Sequence, residues 1–150
     1  MAKIDMLYDA IDDFGLITSA EAAEIGISNV ELVQQAAKGK LVRVERGVYR
    51  MPVWPFQAEA PYAIAVKAAG KDAFLYGESV LALLDLSPTD PAKIWIAVTK
   101  RTRKNLGSGI RLVHTKNANI DSINGIACQP IAEAIITAAS TRAKQNNSGS

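Results

Sequence analysis

An α+β fold in two parts is predicted by three features of this 150-residue sequence. Residues 18 to 39 carry two successive helix signals, each opened by a hydroxyl side chain with Glu three places on. Residues 41 to 51 carry two β-rich runs around a glycine, and from residue 93 onward strand patterns alternate with turn signals. With 49% hydrophobic residues the chain can bury one ordinary core or two small ones.

Ile4, Leu7, Tyr8 and Ile11 recur at the spacing of one helix face, while Lys3, Asp5, Asp9, Asp12 and Asp13 take the rest. This predicts an amphipathic first helix closing near Phe14-Gly15. Thr18 stands three residues before Glu21 and starts a short Ala-rich helix ending at Gly26. Ser28 stands three before Glu31, Leu32, Val33 and Ala36 supply a narrow apolar face, and Gly39 is placed to end that helix in a left-handed conformation. Two capped helices across the Gly26-Ile27 turn have the proportions of a helix-turn-helix. Leu41-Val42-Arg43-Val44, a turn at Glu45-Arg46-Gly47 and Val48-Tyr49-Arg50-Met51 then make a hairpin closed by Pro52. A hairpin directly after the third helix is the wing of a winged helix.

Pro52, Pro55 and Pro61 bracket Trp54 and Phe56, which reads as an ordered linker because aromatic side chains there would pack. Residues 62 to 69 and 78 to 84 suit short helices. Ile94, Ile96 and Val98 alternate with Lys93, Trp95 and Ala97 to give a half-buried strand, and Ile110-Arg111-Leu112-Val113 gives another. Asn124-Gly125 is the strongest short hairpin signal in the chain. Ile131, Ala134, Ile135 and Ala138 outline a last helix, and the polar run from about Thr141 is expected to fray. The predicted domains are a winged helix-turn-helix over 1–53, a Pro-rich ordered linker over 54–61, a small mixed α+β domain over 62–141 with a basic loop at 99–105, and a flexible tail over 142–150.

Several of these blocks carry a family resemblance. Ile25-Gly26-Ile27-Ser28, Lys38-Gly39-Lys40-Leu41 and Arg46-Gly47-Val48-Tyr49-Arg50 resemble the winged-helix start of AbiEi-type antitoxins, the regulators of type IV toxin-antitoxin pairs. Gly77-Glu78-Ser79-Val80-Leu81-Ala82-Leu83-Leu84-Asp85-Leu86 resembles that family's second block, and Asn124 to Pro130 sits where the family has a hairpin and a helix. The resemblance spans roughly residues 1 to 140. It implies a repressor that binds its own promoter through the winged helix, with neutralisation of a toxin requiring the region after it.

The residues themselves point toward double-stranded DNA. Ser28, Asn29, Gln34, Gln35 and Lys38 are the candidate contacts of the third helix, since amides read adenine edges and Lys meets phosphate. Lys40, Arg43, Arg46 and Arg50 are the candidates on and beside the wing. Lys100, Arg101, Arg103 and Lys104 put four cations in five residues with no acid among them. Residues 1 to 53 hold six Lys or Arg against eight Asp or Glu, whereas residues 93 to 116 hold seven Lys or Arg and no acid. The winged helix alone is thus expected to bind DNA weakly, the second domain's loop to join it, and the Asp residues of the first helix to point away. A polar or basic surface is also what a solvated helix face and an exposed hairpin present, and an acidic protein is an alternative target for the loop.

Other classes fare worse. His114 has no nucleophile or ligand set, Gly107-Ser108-Gly109 lacks the Gly-Lys-Ser/Thr ending of a phosphate loop, and Asp12-Asp13 reads as a solvated helix end. The chain is read as no enzyme, with no metal and no cofactor. Cys128, the single cysteine, reads as a buried small apolar residue in a reducing compartment. No apolar run reaches the length of a membrane span, so a soluble cytoplasmic protein is expected. A monomer that assembles on repeated DNA sites is favoured. The alternative from another class is a protein-interaction module docking a toxin through the acidic first helix or the second domain.

Overall fold

The computed structural model describes residues 3–86, 93–100, 106, 109–116 and 119–148. The chain divides into two compact units, residues 1–68 and 69–150.

The first unit opens with α1 (Lys3–Asp9), which buries Leu7 and leaves its neighbour Tyr8 exposed, about 100° further round the helix. The helix ends well before Phe14-Gly15 because Asp12 builds a turn of its own. Its Oδ1 accepts from the amides of Phe14 and Leu16, both at 2.9 Å, and its N–H donates to the Leu16 carbonyl at 3.1 Å. Asp12 is therefore a turn former and not a solvated helix end. Directly after it lies β1 (Leu16–Thr18), a strand too short to show alternation and absent from the sequence-based prediction.

The two capping boxes form as predicted. In α2 (Ser19–Glu24) Thr18 Oγ1 accepts from the Glu21 amide while Glu21 accepts from the Thr18 amide, and in α3 (Asn29–Ala37) Ser28 and Glu31 repeat the exchange. Both helices also end alike. Gly26 at φ +83° and Gly39 at φ +77° turn the chain so that Ile27 N–H reaches the Ala22 carbonyl and Lys40 N–H reaches the Gln35 carbonyl, each at 2.9 Å. Next come β2 (Val42–Glu45) and β3 (Val48–Arg50), joined by Arg46-Gly47. The antiparallel sheet has the order β1-β3-β2, with Ile17 opposite Tyr49 and a register irregularity between Arg43 and Glu45. Leu7, Ile17, Ala22, Ile27, Leu32, Leu41 and Tyr49 form the core of this unit.

Within the predicted linker Trp54 is anchored. Its indole Nε1 donates to the Asp13 carbonyl at 3.0 Å, and Gln57 Nε2 donates to the same oxygen at 3.2 Å. Phe56 behaves otherwise: it is 93% exposed. The following helix, α4 (Ala60–Ala69), starts inside the linker span, with Pro61 in the first turn where a missing N–H costs nothing. Most of α4 falls in the first unit, so the division lies some residues later than position 62.

The second unit holds a mixed five-stranded sheet in the order β6-β5-β4-β8-β7. Its strands are β4 (Phe74–Leu75), β5 (Ile94–Val98), β6 (Ile110–His114), β7 (Asp121–Ile123) and β8 (Ile126–Cys128). β5 runs parallel to β6 and antiparallel to β4, and β4 runs parallel to β8. Asn124 at φ +52° and Gly125 at φ +82° make the tight turn between β7 and β8 that their identities predict. Between β4 and β5 lies α5 (Glu78–Leu83), entered through Gly77 at φ +53°. There Gln129 Oε1 accepts from the Gly77 amide at 2.9 Å, Gln129 Nε2 donates to Thr137 Oγ1, and buried Ser79 accepts from the Trp95 amide at 2.8 Å. Buried polar groups are so matched to one another across α5, β5, β8 and the last helix. That helix, α6 (Ile131–Ser148), continues through residues 142–148, which the sequence prediction leaves as a flexible tail; nothing from Thr141 to Ser148 breaks it as Gly or Pro would.

Candidate nucleic-acid interface

The register of α3 is set at both ends, by the Ser28 cap and by the Gly39 turn, and this decides which side chains face outward. Leu32 is fully buried and Ala36 half-buried, which fixes the inner side. At about 100° per residue the opposite half-cylinder carries Val30, Val33, Gln34, Ala37 and Lys38, and Asn29, in the first turn, borders it on the Val33 side; each of these is exposed. Gln35 falls outside that arc. It is half-buried, and its Oε1 is enclosed without a hydrogen-bond partner among the described residues, so it does not stand beside Gln34 as the sequence suggests. Ser28 is exposed, but its Oγ is occupied by the Glu31 amide at 3.2 Å.

The apolar face predicted from Leu32, Val33 and Ala36 also needs correcting. Val33 is 51% exposed because it sits one position, and so about 100°, from Leu32. Val30 is 64% exposed. Sequence reasoning missed both as surface residues, although the capping box at Ser28 gives the register from which their position follows.

The cations gather around the C-terminal end of α3 and the hairpin. Lys38 and Lys40 are exposed on either side of Gly39, Arg43 is exposed on β2, Arg46 is exposed at the hairpin turn, and Arg50 is half-buried on β3. Among the described residues none of these five is in an ion pair with an acid, whereas Lys67 is paired with Asp12 and Glu21. The hairpin turn is held against the start of α2, where the Ser19 amide donates to the Gly47 carbonyl at 2.9 Å. In α1 the acids are Asp5 and Asp9, both exposed; Asp12 is directed to Lys67, so the expected row of Asp residues on one helix is reduced to these two. In the second unit Lys100 is exposed just beyond β5, while Arg101, Arg103 and Lys104 lie outside the described residues.

Residues 6–52 match the family model described as transcriptional regulator, AbiEi antitoxin. The antitoxin-regulator match runs from α1 to just past β3 and so contains all of α3 and the hairpin. It leaves the second unit, including the Gly77 to Leu86 block, outside. No curated protein matches the chain. Among the described residues no helix is long and apolar enough to cross a membrane.

Proposed function

We propose that the chain is a sequence-specific DNA-binding regulator of the antitoxin type that represses its own promoter. In this reading the α1-β1-α2-α3-β2-β3 unit is a winged helix, α3 enters the major groove, and the β2-β3 hairpin is the wing. The observation that carries it is the surface of α3 and its surroundings. An exposed arc of amide and small apolar side chains, suited to base edges, is followed directly by Lys38, Lys40, Arg43 and Arg46, suited to phosphate. The family match falls on this same segment.

The first unit as a whole remains short of cations, with seven Lys or Arg against nine Asp or Glu over residues 1–68, whereas residues 69–150 hold ten against six. The basic run from Lys100 to Lys104 is therefore assigned a share of the phosphate contacts. The protein acts in the cytoplasm, as a monomer that assembles on repeated sites, with no cofactor and no catalytic step. Fluorescence anisotropy on the native upstream duplex and on a scrambled duplex, each across a salt series, tests this. Tight binding to the native sequence that falls roughly a thousandfold between low and moderate salt supports it. Equal and feeble binding to both duplexes overturns it.

A second reading, a module that docks a toxin, draws on exposed Ile135 and Ile136 of α6, apolar area that a protein partner would cover. Its mark is a stable complex with the product of an adjacent gene and negligible DNA affinity.

A further inference from the structure

We infer that α3 selects A·T base pairs, and that Val30 and Val33 do so by contacting the 5-methyl groups of thymine. The inference rests on the DNA-binding reading above and deepens it. Val30, Val33 and Ala37 follow one another at helical spacing along the middle of the exposed arc, with Val30 64% and Val33 51% exposed. β-branched side chains lower helix propensity, and here both are more than half exposed. A solvated face of a short helix is ordinarily filled with Lys, Glu, Gln or Arg.

The hydrogen-bonding groups beside this stripe narrow the choice of base. Residues 29–37 contain no Lys or Arg, so the bidentate guanine contact that is commonest in the major groove has no donor within the helix. Glu31, the one acid there and the group that would accept from cytosine, is engaged at the cap by the Ser28 amide. Asn29 and Gln34 remain, at the two edges of the stripe, and the amide side chain is the one that fits adenine N6 and N7. Amides for adenine flanking methyls for thymine describe one kind of base pair. Lys38 stands at the C-cap, beyond the residues that meet bases in the first turns, where a cation meets phosphate.

The test is selection of bound duplexes from a random library with the full chain, followed by resynthesis of the selected site with uracil for thymine at each position. Uracil lacks only the methyl group. The expected result is an A·T-rich half-site in which one or two uracil replacements each weaken binding about fourfold, the equivalent of about 0.8 kcal/mol for one buried carbon. Val30→Ala and Val33→Ala should weaken binding to the thymine duplex by a similar factor and be indifferent to the replacement their side chain reads. Both variants keep a good helix former on an exposed face, so folding is not at stake. A specific site that is G·C-rich, or equal binding of the thymine and uracil duplexes, overturns the methyl contact and leaves the regulator reading standing. Recovery of no preferred sequence removes the regulator reading itself, and this inference with it.

Discussion

Lys67 Nζ lies 3.2 Å from Glu21 Oε1, and that same oxygen accepts the Thr18 amide at 3.0 Å. A single carboxylate thus closes the capping box of α2 and holds α4, with Asp12 Oδ2 on the other side of the ammonium at 3.3 Å. Lys67 is only 22% exposed, so water competes for it less than for a surface cation. Replacing Lys67 with Ala should lower the stability of the first unit by about 1 kcal/mol, the upper end for partly exposed pairs. Urea unfolding followed by circular dichroism measures this.

Acid should remove part of the same stabilisation. Burial pushes the Glu21 carboxyl upward, but the Thr18 amide and the Lys67 ammonium outweigh it and hold the pKa below its ordinary value. A carboxyl depressed in the folded state contributes stability that is fully present above the unfolded pKa of about 4.3 and is lost as the pH falls through the folded value. The stability gap between the wild type and Glu21→Gln should accordingly narrow below about pH 4. A gap that stays constant over that range would show that the charge is not what matters.

Thr18→Ala and Ser28→Ala each remove one half of a capping box. Each should cost about 1 kcal/mol in thermal or urea unfolding. Glycine at either position should cost only a few tenths, because it still enters a helix easily.

Gly15 has φ +74°, and a Cβ there would stand 2.6 Å from the Trp54 ring. Gly15→Ala is therefore strained by its backbone, and its Cβ is expected to push the indole off the Asp13 carbonyl. The expected cost exceeds about 1 kcal/mol, and in a Trp95→Phe background the emission of Trp54 should shift to the red as the ring moves into water. An unshifted spectrum would mean that the turn gives way and the indole stays.

Under the regulator reading, Arg46→Ala should reduce the slope of log affinity against log salt by about 1 and weaken all sequences alike. Gln34→Ala should leave that slope unchanged and relax the choice of base. Anisotropy titrations at several salt concentrations separate the two.

What could be read from the sequence was local chemistry. Thr18 with Glu21, Ser28 with Glu31, Gly39 and Asn124-Gly125 act within a few residues of themselves, and their pattern survives folding. What could not be read depends on distant partners. β1 is three residues long and is defined by pairing with β3 across the whole helical segment, and β4 is two residues held between β5 and β8. The end of α1 was hidden because Asp12 satisfies the backbone with its side chain, which a periodic pattern does not register. Of the candidate site, Gln34, Lys38, Lys40, Arg43 and Arg46 are exposed where the spacing puts them and Asn29 is exposed at the start of its helix, whereas Gln35 and Val33 exchange the sides expected of them. Both misplacements come from grouping neighbours along the chain that stand about 100° apart on the helix.

Cys128 is fully buried on β8, and its thiol is made less acidic by burial and by the Asp121 carboxylate. Because it is the single cysteine in the chain, the native protein is a blank for thiol chemistry. A cysteine introduced at Asn29, Lys38 or Arg46 becomes the one position that a maleimide dye or a spin label reaches in the folded state. The native thiol, silent until β8 opens, then serves as a clock for the unfolding of the second unit.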